Sequence, residues 1–294
     1  MRVGEHRPEE LLAAGRSIQD AHLEPPPPDR RAGHAWPCSP SIWTPPSSTS
    51  PCRPSPTSCT LRPRPLVPKG PPAKGQTANE AAGGAGQYVL LGAGLDTFAQ
   101  RRPDLAGLLA LFEVDPPEQA IWKHWRLIEL GYGVPEGLRL VPVDFAAGGS
   151  WRDRAAAAGF DAGRPAVVAA AGVSMYLTRE ANIAALQQVA TPAPGTIFAT
   201  TFLLPDHLTA PELRPGLRRA AKGARANGTP FIRFFAPDEM LQLARSAGFR
   251  DARHVSAEDL SSRYFVGRTD GLHRASGEEL LVVLDHLETT HADD

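Results

Sequence analysis

From Gln87 onward, short apolar runs alternate with segments whose apolar residues recur at helical spacing. Tyr88 to Leu91 is a compact apolar run that enters the turn Gly92-Ala93-Gly94. ALFEVD, ending at Asp115, and LRLVPVDF, ending at Phe145, predict a second and a third strand. RPAVVAAAGVSMYL carries a fourth and GTIFATTFLL a fifth. Pro116 to Leu130 opens with prolines suited to a first helical turn, and Thr178 to Ala190 has helical periodicity. A helix over Ala236 to Ala247, a strand over Ala252 to Val255 and a last strand over Glu278 to Leu284 complete the pattern. Strands that are apolar on both faces and alternate with helices predict a doubly wound α/β sheet covered on both sides.

The chain before Gln87 obeys no such rule. Sixteen of its 30 prolines lie between Pro25 and Pro72, and no acidic residue stands between Asp29 and Glu80. This tract has neither helical nor strand periodicity, and its prolines remove backbone donors throughout. It cannot bury enough apolar surface to offset the entropy of ordering. Residues 1–85 are therefore expected to be an atypical N-terminal region, largely disordered from about 25 to 80, with the folded domain over 86–294. Cys38, Cys52 and Cys59 all fall in the tract, without a histidine pattern, and predict free thiols rather than a metal site.

Composition narrows the classes. With 294 residues and 42% hydrophobic positions the chain is long enough for a sizeable core without disulfides or metal. Its 31 Lys+Arg against 32 Asp+Glu provide no general attraction to nucleic acid or to an anionic membrane. No apolar run approaches the roughly 20 residues of a membrane span. Residues 1–19 lack the apolar centre of a secretory signal, and the expected location is the cytoplasm.

In doubly wound sheets, ligands bind beyond the carboxyl ends of the strands. Three such ends stand out. Gly92 and Gly94 permit a tight turn and close approach of a nucleotide to the backbone; the bland alternative is a plain glycine turn. Glu113 and Asp115 follow at the end of the next strand, Asp115 lying 21 residues past Gly94. An acid here can accept both hydrogen bonds of a ribose diol, while Asp115 before Pro116 would also serve as a helix N-cap. Asp144 and Phe145 end the third strand, where a carboxylate and a ring suit the edge and face of adenine; a loop-forming Asp is the alternative. The third glycine of a dinucleotide fingerprint is replaced by Thr97. That loss weakens an NAD-dependent oxidoreductase reading and leaves room for a cofactor without a pyrophosphate, such as S-adenosylmethionine.

QYVLLGAGLDTFAQRRPDL, FEVDPPEQAIWK, VPVDF and GVSMYLTREA, in that order, resemble the leucine carboxyl methyltransferase family, and more narrowly its large bacterial branch. The resemblance runs from about Gln87 to the C-terminus. It implies a class I methyltransferase (Rossmann-like) fold: a seven-stranded, mostly parallel sheet whose last strand is antiparallel. It implies S-adenosyl-L-methionine as cofactor, with Gly92 and Gly94 at its methionine end, Asp115 on the ribose, and Asp144 with Phe145 on adenine. The implied reaction is methyl transfer, with O-methylation, of a carboxylate among others, of an unknown acceptor. The family's N-terminal helical lid should fall at about residues 30–85, where the proline tract stands, so a non-catalytic remnant that has lost its lid is a further alternative. Ala171 replaces a frequent glutamate, and Ser174 an apolar residue. Tyr176 stands near the expected acceptor position, with core packing as its alternative. Residues 205–230 are expected to contribute to an acceptor-side lid. No catalytic base and no metal ligands are identified.

Overall fold

The computed structural model describes residues 86–145, 147–190, 193–269 and 277–284. The expectation for residues 25–80, with the three cysteines, lies outside them. The strands are β1 (Gln87–Leu91), β2 (Ala110–Asp115), β3 (Leu138–Pro142), β4 (Val167–Ala170), β5 (Ile197–Leu203), β6 (Ala252–Val255) and β7 (Glu278–Leu284). They form one seven-stranded sheet in the order β3-β2-β1-β4-β5-β7-β6. β1 to β5 pair in parallel, while β7 runs antiparallel between β5 and β6. This is the expected topology, including the reversed last strand.

Burial on both faces explains the mostly apolar strands. Every residue of β1 is buried. Its alternation sends Val89 and Leu91 into one core and Tyr88 and Leu90 into the other. The first core lies beneath α4 (Trp151–Ala157), α5 (Arg179–Val189) and α7 (Pro237–Ser246), which contribute Trp151, Leu186, Met240 and Leu243. The second lies beneath α1 (Phe98–Arg101), α2 (Pro103–Ala106) and α3 (Pro117–Glu129), with Phe98, Ala106 and Ala120. α6 (Arg214–Ala226) and α8 (Ala257–Tyr264) complete the helices of the described residues.

The helix starts follow from local chemistry. Thr178 accepts the Ala181 N–H at 3.2 Å and caps α5, and Ser256 with Asp259 forms a capping box on α8. β3 is shorter than its apolar run: it ends at Pro142, opposite Asp115, where β2 also ends. Pro142 is tolerated because β3 is the edge strand. Among the described residues no helix is long and apolar enough to cross a membrane.

Candidate functional site

The topology brings the carboxyl ends of β1, β2 and β3 side by side, with that of β4 flanking β1. Backbone bonds tie them: Gly92 N–H donates to the Val114 carbonyl at 2.7 Å, and Val143 N–H to the Asp115 carbonyl at 2.7 Å. Both glycines of the first turn have positive φ, +65° at Gly92 and +51° at Gly94, but for different reasons. A Cβ on Gly92 would lie 2.4 Å from Cγ2 of Val173, so this glycine lets β1 approach the loop after β4. Around the corresponding point at Gly94 there is open space within 4 Å. Only Gly94 therefore leaves room on the solvent side for a ligand to lie against the backbone.

Asp115 faces this turn. Its Oδ2 accepts the Gly94 N–H at 2.5 Å, a charge-assisted bond across 21 residues of sequence. The helix-cap alternative gains no support: the N-cap of α3 is Pro116, which offers no side-chain acceptor. Asp115 thus joins the glycine loop to the tip of β2 and stands 8% exposed at the rim.

Glu113 lies elsewhere. It points into the sheet interior, 2% exposed, and its Oε2 lies 2.5 Å from Nζ of Lys123 on α3. Burial pushes its carboxyl up to about 7; Lys123 pulls the other way, and the carboxylates of Asp96 and Asp115 add to the rise. The structure therefore gathers Gly94 and Asp115 into one contact and leaves Glu113 beneath them, in the wall of the domain.

Asp144 is exposed, and its Oδ1 accepts the Ala147 N–H at 3.1 Å, so it forms the loop that follows β3. Phe145 is half-buried against the first core and lines an apolar recess with Leu91, Ala170, Val173 and Leu177. This recess adjoins Gly92 through Val173, which places Phe145 in the same neighbourhood as the glycine turn.

Beyond β4, the chain forms a short 3-10 turn over Ser174–Tyr176. Ser174, the departure from an apolar residue, donates through Oγ to the Thr201 carbonyl at 2.9 Å, and Thr201 Oγ1 accepts the Gly172 N–H at 2.8 Å. Asn182 is buried and donates to the carbonyls of Ser174, Leu177 and Thr178. The substitution is thus accommodated in a hydrogen-bonded corner. Tyr176 packs edge-on against Phe231, ring centroids 5.4 Å apart, in a small cluster with Met175, Leu203, Phe234 and Leu217 of α6. Lys123, Val173, Thr201 and Asn182 carry this geometry and escape motif reading. Lys123 alone had a signal: it shares a helix face with Ala120 and Leu127, so a charge there requires a buried partner.

The sheet order, the reversed last strand and the glycine–acid strand ends define a class I methyltransferase fold. A profile of the leucine carboxyl methyltransferase family matches residues 75–190. A Mycobacterium tuberculosis (strain ATCC 25618 / H37Rv) relative is 31% identical over 217 residues, covering 71% of this chain and 67% of that protein. YktD of Bacillus subtilis (strain 168) is 33% identical over 195 residues, covering 66% of this chain and 64% of its own. A Mycobacterium avium (strain 104) relative is 36% identical over 121 residues, covering 41% of this chain and 39% of that protein. The names of all three include the words "Putative S-adenosyl-L-methionine-dependent methyltransferase". The matches thus span less than two thirds of the Bacillus subtilis and Mycobacterium avium proteins. Among solved structures, the chain is similar to a DUF574 family protein of Streptomyces avermitilis, at 16% identity and a TM-score of 0.49, covering 71% of this chain and 79% of that one. The chain belongs to the leucine carboxyl methyltransferase family.

Proposed function

We propose that this protein is an S-adenosylmethionine-dependent methyltransferase that methylates an oxygen nucleophile, a carboxylate being the simplest case. The observation that carries the reading is the Gly94–Asp115 contact: a turn with open space at Gly94 is fastened to an acid at the tip of the adjacent strand. These residues fit the cofactor's polarity. The two oxygens of the Asp115 carboxylate, one of which accepts the Gly94 N–H, are acceptors only, the polarity that a ribose diol requires. Gly92 and Gly94 would line the methionine end, and Asp144 with Phe145 would meet adenine, the ring of Phe145 already facing an apolar recess.

When bound, the cofactor supplies an activated sulfonium methyl group. The chain's own task is then orientation and exclusion of water. The loop after β4 would form the acceptor side: the Ser174–Tyr176 turn, held by Asn182 and Thr201, with Tyr176 and Phe231 as its aromatic wall and α6 above it. A carboxylate acceptor is ionised at neutral pH and calls for no general base, which agrees with a site built from glycines, acids and rings. Equilibrium titration with S-adenosylmethionine and NAD in parallel tests the proposal. Saturable binding of the first alone is expected; binding of NAD alone, or of neither, overturns it.

A further inference from the structure

Lys123 is a cation in the wall of the domain, with a side chain only 7% exposed. Its Nζ makes two contacts that lead to different places. One is Glu113 Oε2 on β2, at 2.5 Å; the other is the backbone carbonyl of Asp96, at 2.8 Å. Asp96 ends the glycine turn. Its N–H donates to the Ala93 carbonyl at 2.9 Å, and its Oδ1 accepts the Phe98 N–H at 2.7 Å, so that one residue closes the loop and starts α1. Besides the backbone bond of Gly92 to Val114, two side chains fasten the loop. Asp115 holds Gly94 from β2, and Lys123 holds Asp96 from α3.

A contribution to stability does not account for the lysine. Apolar residues of similar volume in place of a buried ion pair are often neutral or stabilising, because the desolvation of both charges is avoided. The neighbours of Lys123 on its helix face, Ala120 and Leu127, show that this surface otherwise packs with apolar groups. What an apolar residue cannot supply is a donor at fixed reach for the Asp96 carbonyl. Glu113 fixes the ammonium from below, and the ammonium fixes the loop from the side.

We propose that Lys123 is a positioning residue for the cofactor loop, with Glu113 as its anchor: the pair sets the path of Gly92 to Thr97 so that Gly94 and Asp115 present one preformed surface to the ligand. The proposal rests on the reading of that loop as the S-adenosylmethionine site.

The test is the double variant Glu113→Met/Lys123→Met, which keeps volume and removes both charges. Thermal unfolding, amide hydrogen exchange and calorimetric titration with S-adenosylhomocysteine are compared with the parent. The expected result is a melting temperature at or above that of the parent, faster exchange confined to residues 94–98, and at least tenfold weaker binding. Parental affinity together with parental exchange in that loop overturns the proposal, and so does weaker binding that follows a general loss of stability. If the double variant does not fold, Lys123→Gln is measured the same way: its shorter neutral side chain should also weaken binding and loosen the loop, and unchanged values overturn the idea. Absence of S-adenosylhomocysteine binding in the parent is a separate failure, of the cofactor reading. Loop exchange in the variants then still decides whether Lys123 holds the turn, and unchanged exchange overturns that as well.

Discussion

Replacing Asp115 separates a ligand-binding carboxylate from a purely structural one. In the structure its Oδ2 receives the Gly94 N–H at 2.5 Å. A hydrogen bond to a charged group contributes about 1.5–3 kcal/mol, a neutral one about 0.5–1.5 kcal/mol. Asp115→Asn retains a carbonyl oxygen for Gly94 but loses the charge and half of the acceptor capacity. Its expected cost to folding is therefore about 1 kcal/mol, while the second face, now an NH2 donor, can no longer accept from a ribose hydroxyl. Affinity for S-adenosylmethionine should fall at least about tenfold, or about 1.4 kcal/mol. Asp115→Ala removes both contacts and should cost about 1–3 kcal/mol of stability along with most of the affinity. Thermal unfolding and cofactor titration on both variants, each at a temperature where all proteins are folded, read the two effects independently. If Asp115→Asn binds S-adenosylmethionine as tightly as the parent, the ribose role is refuted and the carboxylate is structural.

Two further outcomes follow from neighbouring residues. The Glu113 carboxyl stands at about 7 in the folded chain against an ordinary 4.5, so folding favours its protonated form. The stability this provides is fully present below pH 4.5 and is lost as pH rises through 7, a change of about 3 kcal/mol. Denaturant unfolding of the parent and of the Glu113→Met/Lys123→Met variant across that range should show a difference that shrinks or reverses by this amount; a constant difference argues against it. The two glycines should also part company. Gly92→Ala combines positive φ with a 2.4 Å clash on Val173 and should destabilise the fold by several kcal/mol, whereas Gly94→Ala has only the backbone conformation to oppose it, about 1–2 kcal/mol, and should act chiefly on cofactor affinity. Equal melting temperatures for the two variants would contradict the division of roles.

Much of this fold is legible in the chain because its strands are buried on both faces. β1, β2 and β5 are mostly apolar, interrupted only by Gln87, by Glu113 and Asp115, and by Thr200 and Thr201, and such short runs have few alternatives to a buried strand. The helices beginning at Pro117 and Arg179 announce themselves by a proline in the first turn and a threonine cap. The short helices α1, α2 and α4 escape such a reading, since four to seven residues hold too few periodic positions. α6 escapes for another reason: its arginines, glycines and proline outweigh a face that buries only Leu217 and Ala224. At the site, the nearness of Gly94 to Asp115 is legible from spacing, because the link between a strand-end glycine and the next strand's acid follows from topology. The fate of Glu113 depends instead on which way its strand position faces and on a lysine ten residues later, and that pairing emerges only once α3 is laid across the sheet.

The reversed strand β7 bears on how the sheet is completed. Its residues 278–284 register with 203–197 of β5, a loop closure of about 75 residues, while also supplying the neighbour of β6. During synthesis β1 to β5 can assemble in order as they leave the ribosome, each next to a strand already made. β6 cannot: its place is separated from β5 by a strand that has not yet been translated. Until β7 arrives, β5 presents an unpaired edge of seven residues and β6 has no partner in the sheet. Closure is then one late, non-local event of the kind that slows folding and exposes edges to other chains. Chains interrupted before residue 278 should therefore accumulate as association-prone intermediates, with the glycine–acid end of the sheet already formed and the opposite end open.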